Sequence, residues 1–212
     1  MILQSLFTNP EFFIIWLLAI VIAITVHEFS HAFASYRLGD HTAKDLGRLT
    51  LNPLSHLDPI GSLMLVIVGF GWGKPVPFNP MYLKVRRWGP SIVSLAGPAS
   101  NILSVVFFGL ILKLLYANNL IGSDNLLTLF LVAVIQINLI LALFNLIPIP
   151  PLDGSKLLYG LISDKYMNLK LMLERNGSFF LIALIVLDML LPVSILGSLF
   201  GGLTNFVLRV FT

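Results

Sequence analysis

The chain has 212 residues, 57% of them hydrophobic and 11% charged, with a mean hydropathy of +0.93. An ordinary soluble domain carries about 25% charged residues, so this chain has too little charge to coat a water-soluble globule. The formal charge of +3 is too small an excess to mark a nucleic-acid binder, and the lack of cysteine excludes disulfides, thiolate metal sites and a cysteine nucleophile.

Composition therefore predicts an all-α polytopic membrane protein. Met1 to Pro10 carries no Lys or Arg, so the N-terminus is not expected to be a cleavable signal peptide. A helix needs about 20 apolar residues to span roughly 30 Å of hydrocarbon. Four regions qualify: Phe12 to Tyr36, Ser91 to Tyr116, Leu126 to Ile147, and Ser178 to Leu208. Pro192 either kinks the last of these or divides it, which predicts a bundle of four to five transmembrane helices.

A fifth apolar stretch, Ile60 to Gly71, would reach only about 18 Å as a helix, too short to cross. Gly69, Gly71, Gly73, Pro75 and Pro77 punctuate its end and the segment after it, a composition that suits a re-entrant extended loop. On that layout eleven of the 13 lysines and arginines lie on one side. The positive-inside rule makes that side cytoplasmic and places the N-terminus outside the cell membrane.

The first span contains His27-Glu28-Phe29-Ser30-His31. Residues four apart share one helix face, so the two imidazoles can meet a single Zn²⁺. Glu28 sits one step round, able to reach a water at the metal without being a ligand. Charged chemistry at lipid depth costs about 2.5–3.5 kcal/mol per carboxylate even on lenient insertion scales, which argues against an incidental motif.

A catalytic zinc takes a third protein ligand. Arg37 occupies the position of a third histidine six residues on, and Glu174 is the sole downstream glutamate. His41, His56, Asp45, Asp58 and Asp153 remain. Asp153 stands out because it lies in "FNLIPIPPLDGSK", where Pro148, Pro150 and Pro151 break the helix and Gly154 permits a sharp turn. Its plainer role would be to cap the helix that begins at Gly154.

His27-Glu28-x-x-His31, followed by Asn145-x-x-Pro148-x-Pro150-x-Leu152-Asp153-Gly154, resembles the site-2 protease family of intramembrane zinc metalloproteases. "LNPLSHLDPIGS", "GWGKPVPFNP" and "AGPASN" look like the family's smaller bacterial and archaeal members. The resemblance implies that His27, His31 and Asp153 bind one Zn²⁺, that Glu28 is the general base, and that Asn145 helps hold the substrate backbone. It also implies one domain over residues 1–212, with a catalytic core of about 11–162 and a C-terminal apolar helical region of about 178–212. The extra leading helix, PDZ domain and CBS domains of various relatives are not expected here.

A peptide bond inside a helix must be unwound before hydrolysis, and an exposed strand edge can stabilise the extended form. The "GWGKPVPFNP" loop is the candidate edge, so Trp72, Gly73, Lys74, Pro75 and Val76 are expected to contact transmembrane protein or peptide substrates. Gly97 and Asn101 in "SLAGPASNILS", with Gln136 and Asn138 on the third span, read as helix-packing residues. His41 and His56 read as members of a solvated loop. Lys84, Arg86 and Arg87 suit contact with membrane lipids, and Asp188 has no evident partner. Two other function classes compete: a membrane metal transporter or sensor, and a non-catalytic scaffold for transmembrane helices.

Overall fold

The computed structural model describes residues 8–68 and 71–212, so the first seven residues, and Gly69 and Phe70 of the predicted Ile60–Gly71 stretch, lie outside the described residues. Helix α1, Pro10–Arg37, starts where Asn9 accepts a hydrogen bond from the Phe12 amide and Pro10 occupies the first turn. A short α2, Thr42–Asp45, precedes α3, Pro59–Val68. Then come α4, Gly89–Ala117, and α5, Leu126–Asn145, whose N-terminus is capped by Asn125. Helices α6 (Gly154–Leu161), α7 (Met167–Leu190) and α8 (Ile195–Phe211) complete the order.

Helices α1, α4 and α5 all pack on one another, and they are the three helices long and apolar enough to cross a membrane. Ala19 and Ala23 of α1 are fully buried against Ala133, Val134 and Ile137 of α5. Alanines at that seam let the two backbones approach closely. Val105 and Leu112 of α4 meet Leu131, Ile135 and Leu139 of α5, and Phe211 of α8 covers this second cluster. The opposite faces carry exposed Phe12, Leu17, Leu18, Leu103 and Phe107. A soluble helix would present polar residues there, whereas apolar side chains on the outside suit a surround of lipid.

The fourth apolar region does not form one straight helix. Helices α7 and α8 bend by 84° at residues 191–194, and taken together they would make a fourth span. Pro192 thus divides rather than kinks, and Asp188, expected to be without a partner, has one. Its Oδ1 accepts the amides of Ile195 (2.7 Å) and Leu196 (3.0 Å), which caps the start of α8. The count is accordingly three spans, or four with the bent pair.

Helix α3 has ten residues and reaches only about 15 Å, so it does not cross. The chain returns beside it in extended form, with Gly73 bridging antiparallel to Leu57. This matches the re-entrant hairpin read from the glycines and prolines. Its pairing is one isolated bridge, and no named strand occurs among the described residues.

Candidate active site

His27 and His31 project from the buried side of α1, with His27 about 15 Å short of the Arg37 end. Their Nε2 atoms lie 3.0 Å apart. Asp153 Oδ2 approaches both, at 3.1 Å from His27 and 3.2 Å from His31. The three sequence-predicted ligands therefore meet at one point. Among the described residues they form the one such group of histidine and carboxylate atoms.

The fit to a metal can be tested on the tautomers. His31 Nδ1 lies 2.7 Å from the Val93 carbonyl oxygen, which can only accept, so Nδ1 carries the proton. His27 Nδ1 lies 2.6 Å from Asn101 Oδ1. The Asn101 amide is oriented by its other end, because its Nδ2 donates to the Ala23 carbonyl (3.2 Å) and to Asn138 Oδ1 (2.7 Å). Asn138 is oriented in turn by donating to the Val134 carbonyl. As neutral imidazoles, both rings then turn Nε2 lone pairs inward, towards a carboxylate oxygen that has no hydrogen-bond donor of its own. Three convergent lone pairs in a buried place repel one another unless a cation lies among them. Their 3.0–3.2 Å separations are close to the roughly 3.3 Å edge of a tetrahedron with ligands at about 2.0–2.1 Å from zinc.

Asp153 occupies the N-cap position of α6 but makes no capping hydrogen bond. The plainer capping role is thus overturned; the carboxylate is turned towards the histidines instead. Gly154 allows that turn: a Cβ there would collide with the backbone of Leu146 and Ile147. Gly97 of α4 serves the histidines in the same way, since a Cβ would fall on His31 Nε2 and within 2.6 Å of His27 Cε1.

Gly97, Asn101 and Asn138 are therefore more than packing residues, and the expectation for them is corrected. Asn101 holds His27 directly and Asn138 holds Asn101, a chain that orients a ligand as second partners of metal-bound histidines do. The remaining alternatives stay apart from the group. Asp58 Oδ1 accepts the Gly61 amide, and His41 lies against the Tyr36 ring. His56 is fully buried, with Nε2 2.7 Å from the Thr50 carbonyl, so it does not belong to a solvated loop.

Glu28 faces a cavity of about 200 Å³ that His31, Asp153, Val93, Pro75 and Val76 also line. Its Oε2 accepts the Val76 amide at 3.0 Å. Gly73 passes nearby, a Cβ there lying 3.7 Å from Glu28 Oε1. Lys74 and Pro75 are exposed on the same segment, and Trp72 borders a separate apolar cavity of about 350 Å³ between α1, α3 and α5. Asn145 ends α5, where its Nδ2 donates to the Leu141 carbonyl of its own helix. Arg48, which sequence reasoning did not single out, is buried against this hairpin.

Two imidazoles one helical turn apart, with a neighbouring glutamate that reaches the same cavity but not the same point, are able to offer metal ligands and a proton acceptor together. A membrane-embedded helical bundle so equipped defines a zinc-dependent peptidase.

Comparison with known proteins agrees. The model of peptidase family M50 matches residues 119–187, which contain the Asp153 loop. YwhC of Bacillus subtilis is 42% identical over 148 residues, covering 68% of each chain. Rip2 of Mycolicibacterium smegmatis is 37% identical over 67% of this chain and 55% of its own length. MJ0392 of Methanocaldococcus jannaschii, named a zinc metalloprotease, is 28% identical over 78% of this chain and 40% of its own. No solved structure matches. The chain belongs to peptidase family M50, the site-2 protease family.

Proposed function

We propose that this protein is an intramembrane zinc metalloendopeptidase. Its substrates are membrane proteins cut within or near their transmembrane segments, in regulated intramembrane proteolysis or in clearance of signal remnants. The observation that carries the reading is the meeting of His27 Nε2, His31 Nε2 and Asp153 Oδ2 beside Glu28 on a membrane-spanning helix.

Zinc held by His27, His31 and Asp153 supplies a Lewis acid and brings the pKa of water down to about 7. The chain's own residues do the rest. Val93 and Asn101 hold the imidazole tautomers, and Gly97 leaves them room. Glu28 takes a proton from the attacking water and returns it to the departing amine.

An extended substrate segment pairs alongside Trp72, Gly73, Lys74, Pro75 and Val76, with Asn145 as a further contact to its backbone. Support for this comes from the path of the hairpin, which runs from the apolar cavity at Trp72 to the cavity at Val76 that Glu28, His31 and Asp153 line. The asymmetry of the basic residues supports an orientation with the N-terminus outside the cell membrane and the site towards the cytosol.

Reconstitution of the purified protein with transmembrane peptides, followed by mass analysis, tests the reading. Fragments cut in the cytoplasmic half, absent with a chelator, support it. No fragments, or chelator-insensitive ones, contradict it.

A further inference from the structure

Arg48 comes shortly after α2 in the chain, yet its side chain is only 6% exposed. Its Nη2 donates to the Lys74 carbonyl (2.6 Å) and its Nη1 to the Pro75 carbonyl (3.1 Å). Those two carbonyls immediately precede Val76, whose amide rests on Glu28. Among the described residues no carboxylate makes an ion pair with Arg48, and its Nε has no hydrogen-bond partner. The Glu28 charge acts on the guanidinium from beyond ion-pair distance, and a buried charge whose direct partners are neutral carbonyls is a costly way to stabilise a loop. What the arrangement does secure is orientation. A guanidinium presents its donors in a rigid planar fork, so two successive carbonyls bound to it fix the rotation of the peptides between them.

The rest of the segment is tied independently. The Lys74 amide donates to the His56 carbonyl at 2.8 Å, and the Asn79 amide donates to Asp40 Oδ2 at 2.7 Å. These bonds anchor the ends, whereas Arg48 acts at the two residues that precede the contact with Glu28.

We propose that Arg48 is a positioning residue whose fork sets the register of Lys74–Val76 against Glu28, and with it the edge on which an extended substrate pairs. The substrate part rests on the peptidase reading. The loop part does not.

The experiment uses full-length, zinc-loaded protein in lipid vesicles and two variants, Arg48→Gln and Arg48→Lys. Backbone hydrogen exchange is followed in peptides covering residues 72–79 and in peptides from α4 and α5. Arg48→Gln is expected to speed exchange at Val76 at least tenfold, leaving exchange at Lys74, zinc content and the helices unchanged. Arg48→Lys, with one point charge in place of a fork, should fall between. With a cleavable transmembrane peptide, KM should rise at least fivefold in Arg48→Gln while kcat stays within twofold.

Unchanged exchange at Val76 in both variants would overturn the proposal. So would faster exchange throughout α4 and α5 with loss of zinc, because Arg48 would then support the fold in general. If the unsubstituted protein cuts no peptide, the peptidase reading fails, and the exchange measurement still decides the role of Arg48 in the loop.

Discussion

Asn101 Oδ1 lies 2.6 Å from His27 Nδ1, and the Asn101 amide group is held by Ala23 and Asn138 on two other helices. The orientation of one candidate ligand thus depends on contacts among α1, α4 and α5. Replacing Asn101 by Leu removes the acceptor and lets either ring nitrogen carry the proton. Outer partners of this kind are worth about 10–100-fold in metal affinity. Competition titration with a zinc indicator should show a loss in that range for Asn101→Leu, and a smaller one for Asn138→Leu.

Gly97→Ala should be more disruptive at the site than in the fold. The added Cβ falls on the imidazole of His31. One of the two rings must leave its position, so zinc affinity is expected to drop at least tenfold while thermal unfolding shifts little. Zinc retained at full affinity would show that α4 yields instead.

Glu28→Gln preserves shape and leaves the three convergent atoms untouched. The variant should bind zinc as the unsubstituted protein does and lose about 10²–10⁴ in cleavage rate, the usual worth of a general acid–base group. Metal content and peptide cleavage measured on one preparation check both halves. A variant that cuts normally would remove Glu28 from the mechanism.

Asp40 gives a pH dependence outside the spans. Its fully buried side chain accepts hydrogen bonds from Thr42, Asn79 and Ser35. Burial opposes its charge, but those donors prevail and hold the carboxyl below the usual carboxylate range. A depressed pKa in the folded state contributes stability above about pH 4, which is lost as pH falls through the folded value. Asp40→Asn should therefore melt at a lower temperature at pH 7, and its melting temperature should change less than the unsubstituted protein's below about pH 5. Melting curves in detergent from pH 7 to pH 3 check this.

The parts of the site legible in the sequence are those that local geometry dictates. His27 and His31 are four apart on one helix, so their meeting needs no tertiary knowledge. Asp153 is marked by the prolines and glycine that break the chain around it. The short reach of α3 and the glycine-rich return likewise announce a hairpin. The contacts of Asn101, Gly97 and Arg48 run between elements 26 to 78 residues apart. No periodicity records such distances, and Gly97 and Asn101 carry the same small-residue pattern as ordinary helix packing. Asp188 is opaque in the sequence because its partners exist only once the chain has bent at Pro192.

A single zinc ion held by His27, His31 and Asp153 is the centre of this account. Its most direct test is zinc content per chain, by atomic absorption, for the unsubstituted protein and for His31→Ala and Asp153→Ala after dialysis against limited chelator. One zinc per chain is expected in the first and well below one in both variants, with the helical content of all three alike. Full stoichiometric zinc in Asp153→Ala would contradict it.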